Sequence, residues 1–206
     1  MEEKEQKIMV IERSILFRGN YFQGFKPYKE VDFESRILNH HHYIKRSDAD
    51  VNPNFKQPIA YAVIFNPKLK KVFLYRRSPK TENYQEKRLQ GKWSVGIGGH
   101  IEKVDARAEN PIQTSLLREI EEEIELKGKF EVKVLGYMNF DDDSVGKVHF
   151  GILYLIETDG NIKPRSKEIE SGSFVSVKDI ERKIKSNNFV MENWSRLALK
   201  ALNRNF

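Results

Sequence analysis

Cysteine is absent from all 206 residues, which excludes disulfide bridges, thiolate metal sites and a cysteine nucleophile. No apolar run approaches the roughly 20 residues that a membrane-spanning helix requires. The amino-terminal stretch is too acidic and polar for a secretory signal. These absences favour a cytoplasmic protein that has no membrane partner. With 39% hydrophobic residues, the chain has enough apolar side chains for one packed domain and an additional segment.

The charge pattern narrows the class of substrate. Charged residues make up 32% of the chain and leave a net charge of +6. A positive field attracts anionic substrates and nucleic acids, although it also simply favours solubility. The acids are not evenly spread, because Glu119–Glu125 carries five carboxylates in seven residues. Such a segment repels phosphates unless a metal ion intervenes, so direct nucleic-acid binding is the less favoured interpretation.

Hydrophobic periodicity predicts strands and helices that mix without strict alternation, which is typical of an α+β fold with a mixed sheet. The first 56 residues are irregular, with a strand suggested over 8–17 and a short helix over 33–43. We therefore expect an amino-terminal extension over 1–56, packed on a main domain over 57–206. Further strands are predicted over residues 59–65, 71–77, 93–97, 131–140, 148–157 and 174–177, and further helices over residues 111–126, 179–186 and 192–203.

The helix that begins at residue 111 carries most of the acidic residues. Asn110 is a good N-cap and Pro111 suits the first helical position. An apolar stripe follows at helical spacing and should pack on the sheet. Glu119, Glu122 and Glu123 are spaced i, i+3 and i+4, so that they lie together on one helix face.

Three neighbouring carboxylates repel one another and destabilise a helix unless a cation joins them. Carboxylate oxygens are hard ligands that suit Mg²⁺ or Mn²⁺, so one interpretation of this face is a divalent metal site. The other is an ordinary solvated acidic face, which the spacing alone favours. Histidines offer a weaker alternative, because adjacent side chains on a helix point in different directions. The residues concerned are His40, His41 and His42.

The sequence around these acids resembles the Nudix box, which reads G-x5-E-x7-R-E-U-x-E-E-x-G-U with U a bulky aliphatic residue. The double glycine Gly98-Gly99 and the second half of the box are present. The matched positions of that half are Arg118, Glu119, Ile120, Glu122, Glu123 and Leu126. Counting the hairpin that ends in Tyr75-Arg76-Arg77, the likeness covers about residues 56–190. The chain is thus similar to the Nudix (MutT-like) hydrolases, and more narrowly to a subgroup of predicted phosphoesterases.

The resemblance implies an α/β/α sandwich with a mixed sheet between helices, and a metal site on the box helix. In this family the loop–helix unit binds a divalent metal through the helix glutamates. Glu119, Glu122 and Glu123 are therefore the implied metal ligands or activators of water, with the Gly99 carbonyl as a further ligand. Arg118 would orient the carboxylates. The implied cofactor is Mg²⁺ or Mn²⁺.

The first half of the box departs from the family pattern. Between Gly99 and Arg118 lie 18 residues where the box has 13, so five are inserted. Counted from the glycine, the first box glutamate corresponds to Asp105. Counted back from the arginine it corresponds to Asn110, and Glu109 is one step away. The sequence leaves these three alternatives open.

The end of the helix departs from the box as well. The box glycine that follows the glutamate pair is Glu125 here, so the helix should not end on a left-handed glycine at that position. Gly128, a few residues further on, is the candidate for that role.

Other candidate site residues lie outside the box. Glu170, and after it Glu168, precede a predicted strand where the family often places its general base, a role that geometry decides. Of Arg76 and Arg77 at a strand end, one should face inward, where a guanidinium suits phosphate. Trp93 is a candidate for stacking on a base, although a core position is favoured for it.

The resemblance implies metal-dependent hydrolysis of a phosphoanhydride bond in a small nucleoside-diphosphate-linked substrate, and many family members form homodimers. One alternative is a Nudix-fold module that binds nucleotide or RNA without cleaving it. The retained glutamates argue against such a module, and the insertion argues mildly for it. An isopentenyl-diphosphate isomerase is disfavoured because its chemistry relies on a cysteine. The identity of the substrate stays open.

Overall fold

The computed structural model of the chain describes residues 5–80, 87–186 and 189–203. Over these ranges it has twelve strands and seven α-helices. The strands are β1 (Lys7–Glu12), β2 (Gly24–Pro27), β3 (His42–Lys45), β4 (Phe55–Asn66), β5 (Lys71–Arg77), β6 (Trp93–Ser94), β7 (Gly96–His100), β8 (Ile124–Lys127), β9 (Phe130–Asn139), β10 (His149–Thr158), β11 (Asn161–Pro164) and β12 (Ile169–Val175). The helices are α1 (Arg13–Phe17), α2 (Phe33–His40), α3 (Arg46–Ala49), α4 (Pro111–Glu123), α5 (Ser144–Val148), α6 (Val177–Ile184) and α7 (Asn193–Leu202). The fold is α+β with a mixed sheet, as the sequence predicts.

The elements group into two compact units, each assembled from segments that are distant along the chain. Unit 1 comprises Met1–Tyr61, Gly98–Leu117 and Val134–Tyr154, and unit 2 comprises Ala62–Ile97, Arg118–Lys133 and Leu155–Phe206. Within the described residues, no helix combines the length and the apolar character that a membrane crossing requires.

Unit 1 contains the amino-terminal segments. β1 pairs antiparallel with β3 and with the beginning of β4, and β2 pairs antiparallel with the end of β9. Its core is aromatic, because the buried ring of Phe33 lies 5.0 Å from that of Tyr137 and 5.3 Å from that of Phe150, measured between centroids. Edge-on and tilted contacts of this kind add to the stabilisation from burial. Phe33, from the amino-terminal part of the unit, therefore shares one hydrophobic core with β9 and β10.

Unit 2 is built around β5, whose bounds agree with the predicted strand. β5 pairs antiparallel with β12, with the end of β4 and with the two-residue strand β6. A separate two-stranded ladder joins β8 to β11 in antiparallel register. The isolated bridge between Trp93 and Met191 is parallel.

Two predictions for the amino-terminal region are wrong in part. The strand expected over 8–17 ends at Glu12, and the chain turns into α1, whose Arg13 N–H donates to Asn54 O at 2.8 Å. The helix expected over 33–43 ends at His40, because His42–Lys45 pairs with β1. In both places a partner distant along the chain overrides the local apolar pattern.

Helix α4 begins where the sequence predicts and ends earlier. Asn110 Oδ1 accepts hydrogen bonds from Ile112 N at 3.0 Å and Gln113 N at 3.2 Å, as an N-cap should. The helix ends at Glu123 instead of residue 126, because the next four residues form β8. Gly128 has a φ of +112° but lies beyond β8, so its predicted role in ending the helix is wrong.

Candidate active site

Glu123, the last residue of α4, is a buried carboxylate with an unsatisfied oxygen. The residue is 8% exposed, and Oε2 has no hydrogen-bond partner among the residues that the structure describes. Burial, with smaller contributions from the charges of Glu119, Glu168 and Glu192, raises its pKa to about 8, although Arg77 opposes the shift. A buried polar atom without a partner destabilises a fold. An oxygen in this state fits the role of a ligand to a hard divalent cation.

The other two box glutamates, Glu119 and Glu122, form ion pairs with Arg118. Its Nη1 donates to Glu119 Oε1 at 2.7 Å and lies 3.4 Å from Glu122 Oε2. The side chain of Glu119 is 14% exposed, whereas that of Glu122 is 59% exposed. Glu119 and Glu123 therefore form the inner part of the acidic face, and Glu122 lies at its solvent edge.

A buried ion pair accompanies these acids in unit 2. Arg77, at the end of β5, donates through Nε to Glu192 Oε1, and both side chains are buried. Ser94 Oγ donates to Glu192 Oε2 at 2.9 Å. The guanidinium of Arg77 is thus held in a fixed position, from which its charge lowers the pKa of Glu123. One of the two strand-end arginines does face inward, as strand alternation predicts.

The sequence did not single out Glu192 or Ser94. Glu192 is 115 residues from Arg77 along the chain, and it directly precedes α7. A glutamate before a predicted helix is an ordinary feature of surface sequences. The pairing becomes visible only when the strand end and the helix start are placed side by side.

The two candidate general bases have different surroundings. Glu170 forms an ion pair with Arg76 at 3.1 Å, with the two side chains 40% and 42% exposed. Glu168 acts on the acidic face, because its charge raises the pKa of Glu123. Its backbone carbonyl also accepts a hydrogen bond from Ser78 N at 2.7 Å. Of the two candidates, Glu168 is therefore the one whose charge affects the pKa of Glu123.

Trp93 is half-buried, and its ring stacks on Phe189. The centroids are 5.0 Å apart and the planes differ by 17°. The backbone N–H of Trp93 donates to Val190 O at 2.8 Å, and its carbonyl accepts from Glu192 N at 3.1 Å. Trp93 therefore links β6 to the segment that leads into α7.

The glycine segment and the insertion lie in unit 1. A Cβ on Gly98 would lie 2.0 Å from Ala60 O, so only glycine fits there. Gly99 follows it in β7. The insertion forms a 3₁₀ helix, Lys103–Arg107, in which the buried carboxylate of Asp105 accepts from Glu102 N at 2.8 Å. Of the three candidates for the first box glutamate, Asp105 thus caps this turn, Asn110 caps α4, and Glu109 is exposed.

Comparison with known proteins identifies the family. A family model described as the NUDIX domain matches residues 55–197. Because this match covers most of the chain, the protein belongs to the Nudix family, and the resemblance inferred from the box is confirmed.

Individual relatives agree with this assignment. Protein YmaB of Bacillus subtilis (strain 168) is 30% identical over 212 residues, which cover 98% of this chain and 100% of that protein. The crystal structure of Tm1382, assigned to the Nudix hydrolases, gives a TM-score of 0.78 at 24% identity over 98% of this chain and 100% of that one. The NUDIX domain of Shewanella oneidensis NrtR, complexed with ADP ribose, gives 0.55 at 15% identity over 73% and 88%. At these identities the two structural likenesses show the fold alone.

Proposed function

We propose that this chain hydrolyses a phosphoanhydride bond in a nucleoside-diphosphate-linked substrate, with a divalent cation held by the acids of α4. The observation that carries the proposal is the buried Glu123 carboxylate, whose Oε2 has no hydrogen-bond partner among the described residues. Two further carboxylates, Glu119 and Glu168, raise its pKa by their charge. Such a cluster destabilises the fold if left alone, and a divalent cation is the partner that would stabilise it.

Glu119, Glu122 and Glu123 would hold the cation, and the Gly99 carbonyl stays a ligand predicted from the resemblance alone. A bound Mg²⁺ or Mn²⁺ supplies charge neutralisation on the diphosphate and lowers the pKa of a bound water. Arg118 fixes the Glu119 carboxylate through its 2.7 Å hydrogen bond. That bond orients the carboxylate before substrate binds, which is the protein's main contribution in phosphoryl chemistry.

Groups around the acids supply the remaining functions. The buried charge of Arg77 favours the ionised form of Glu123, which is the form that binds metal. Arg76 is 42% exposed, so its guanidinium can exchange Glu170 for a substrate phosphate. A general base accepts the proton of the attacking water, and Glu168 and Glu170 are the candidates. Trp93 is proposed as a stacking surface for a base, on the face opposite Phe189.

The substrate class rests on the family and on one relative. ADP ribose, a nucleoside diphosphate joined to a sugar, is bound by the NUDIX domain of NrtR. The same class of molecule fits a site that combines a cation with an exposed arginine. A non-catalytic nucleotide- or RNA-binding module is the alternative, and the retained pair of inner glutamates favours the enzyme. A homodimer and a cytoplasmic location stay predictions from the sequence.

A matched pair of glutamate variants tests the proposal. The full chain is incubated with Mg²⁺ and a panel of substrates, and products are separated by chromatography. The panel contains ADP-ribose, a dinucleoside polyphosphate, an oxidised nucleotide and a capped RNA end. We expect at least one to be cleaved, and Glu123→Gln to lower that rate about a hundredfold or more, since a metal contributes several kcal/mol to the transition state. Glu121→Gln is the control, because Glu121 is exposed on the same helix.

A calorimetric binding measurement, added to this assay, separates the enzyme from the binding module. Calorimetric binding of a nucleotide by the unaltered chain, without turnover of any substrate in the panel, supports the binding module. Equal losses of rate in Glu121→Gln and Glu123→Gln would show that the inner carboxylate has no special role.

A further inference from the structure

We propose a second metal site, distinct from the acids of α4, in which Asp50, His100 and His149 bind a borderline divalent ion of the Zn²⁺ type. The three side chains come from different segments of unit 1: Asp50 follows α3, His100 ends β7 and His149 begins β10. One ligand atom from each lies within 4.8 Å of the other two. Two imidazole nitrogens and a carboxylate oxygen form a ligand set that suits Zn²⁺ and not Mg²⁺.

The two imidazoles face each other at a distance close to that of a shared metal. His100 Nε2 and His149 Nε2 are 3.1 Å apart. Two nitrogens bound to one tetrahedral Zn²⁺ at about 2.0–2.1 Å lie roughly 3.3–3.4 Å apart. A shift of a few tenths of an ångström would therefore bring both nitrogens to bonding distance of one ion.

The other nitrogen of His149 fixes its tautomer. His149 Nδ1 lies 2.7 Å from Val145 O, and because a carbonyl can only accept, Nδ1 carries the hydrogen. Nε2 of the neutral ring then presents its lone pair towards His100. Metal-bound histidines almost always donate their second nitrogen in this way. Burial also lowers the pKa of His149, which favours the neutral ring that a metal needs.

A buried amide connects the remaining two ligands. Gln57 is fully buried, its Oε1 lies 2.7 Å from His100 Nε2, and its Nε2 donates to Asp50 Oδ1 at 3.1 Å. Gln57 thus orients the ring and the carboxylate towards each other. Binding of the ion requires the proton on His100 Nε2 to leave this hydrogen bond and the ring to carry its hydrogen on Nδ1. The Gln57 oxygen then becomes available as a fourth ligand.

Two cations nearby limit the affinity without blocking the site. Arg46 Nε lies 3.7 Å from Asp50 Oδ2, on a carboxylate that is half-exposed and can turn. Lys56 Nζ donates to the backbone carbonyl of His149 at 3.0 Å and pairs with Asp141 at 2.6 Å. Its charge is therefore balanced by a carboxylate.

The experiment uses the full chain stripped of metal and titrated with Zn²⁺ in a calorimeter. Glu119→Gln/Glu122→Gln/Glu123→Gln is the background, so that the three proposed ligands on α4 do not contribute and the outcome is independent of the proposed hydrolase activity. We expect one equivalent of Zn²⁺ to bind and to raise the melting temperature, since an ion that binds only the folded state stabilises it. His149→Asn and His100→Gln should each weaken binding about a hundredfold.

Each substitution keeps one hydrogen bond of the ring it replaces. The Asn amide nitrogen takes the position of Nδ1 and still donates to Val145 O, and the Gln amide nitrogen takes that of Nε2 and still donates to Gln57. His42→Gln is the control, because His42 is exposed on β3.

A second measurement needs no variant. In the unaltered chain, one equivalent of Zn²⁺ should shift the ¹⁵N resonance of His149 at Nε2, and not at Nδ1, which keeps its hydrogen on Val145 O. Both ring nitrogens of His100 should shift, because its hydrogen moves from Nε2 to Nδ1 when the ion binds. The proposal is overturned by the absence of binding at one equivalent, by equal binding in His149→Asn and His42→Gln, or by unchanged Nε2 resonances.

Discussion

Two carboxyl groups with little exposure to solvent, Glu123 in unit 2 and Asp141 in unit 1, have pKa values shifted in opposite directions. Asp141 accepts hydrogen bonds from Arg13, from Lys56 Nζ at 2.6 Å and from the Tyr21 hydroxyl at 2.9 Å. Burial on its own raises the pKa of Asp141, but the bonds from Arg13 and Lys56 hold it well below its usual range. Glu123 has an oxygen without a partner in the described residues, and its pKa is raised to about 8.

The comparison separates a carboxylate that serves the fold from one that is proposed to bind a ligand. Asp141 compensates Lys56, a fully buried side chain whose burial lowers its pKa to about 8. In the part of the chain that the structure describes, Glu123 Oε2 has no hydrogen-bond partner, and Arg77, the cation that favours its charge, is bonded to Glu192. Proteins accept such local inconsistency mainly at functional sites. The raised pKa of Glu123 therefore supports the cation site proposed for the acids of α4.

The largest expected change in stability follows from removing Asp141, the carboxylate whose hydrogen bonds are satisfied. Asp141→Ala leaves Lys56 buried without its counter-ion, so the free energy of unfolding should fall by about 3–5 kcal/mol. Denaturant titration at pH 7 measures this change. The folded-state pKa of Asp141 is depressed, so its contribution is present above the unfolded value of 3.8 and is lost as pH falls below it. The difference between the two proteins should therefore narrow under acidic conditions.

Asp142→Ala is the matched control, because Asp142 is the exposed neighbour. A surface substitution of this kind should change stability by less than about 0.5 kcal/mol. If the two variants lose equal stability, the network around Asp141 has no special role in the fold.

The unsatisfied carboxylate should respond in the opposite direction. In chelator, Glu123→Gln removes a buried charge, so the free energy of unfolding at pH 8 should rise by on the order of 2 kcal/mol. The folded-state pKa of Glu123 is raised from 4.5 to about 8. The folded protein therefore binds more protons than the unfolded chain between those values, and wild-type stability falls as pH rises through that window.

Thermal or chemical unfolding at several pH values measures the slope with and without Mg²⁺. Glu123→Gln should flatten the slope in chelator. Added Mg²⁺ should stabilise the wild-type protein and leave the variant unchanged, since only an ion bound to the folded state shifts the equilibrium. A loss of stability in Glu123→Gln under chelator would mean that the carboxylate is satisfied after all, and the comparison with Asp141 would fail.

Local signals in the sequence accounted for the parts of the site that lie on one element. The N-cap Asn110 and the spacing of Glu119, Glu122 and Glu123 placed the acids on one helix face. The bounds of β5 followed from its apolar run and the turn before it. Each of these features depends on residues within a few positions of one another, where capping and periodicity determine the structure.

Features that depend on distant partners were not predictable in this way. The apolar stripe of α4 continues to Ile124, but pairing with β11, a strand of unremarkable composition, turns residues 124–127 into β8. The spacing of the acids does not show that Glu123 is buried whereas Glu122 is exposed. His100 and His149 are 49 residues apart. Only the fold brings such pairs together, because strand pairing and burial arise from non-local contacts.

The smallest expected effect concerns Glu168 and Glu170, the two candidate general bases, of which the sequence analysis favours Glu170. The charge of Glu168 is felt at Glu123, whereas Glu170 is paired with Arg76 at the surface. Glu170→Gln should change the free energy of unfolding by less than about 1 kcal/mol. We expect Glu168→Gln to lower the rate of Mg²⁺-dependent hydrolysis roughly tenfold or more and to alter its pH profile, as loss of a general base does.

Glu170→Gln should lower that rate by less than about tenfold and leave the pH profile intact. Its loss removes only the ion-pair partner of Arg76, which would bind substrate and would not transfer a proton. The two variants are matched in chemistry and lie two residues apart. The opposite order, with a changed pH profile in Glu170→Gln alone, would make the surface acid the base. The acids whose charges act on Glu123 would then serve metal binding only, and Glu170 would accept the proton.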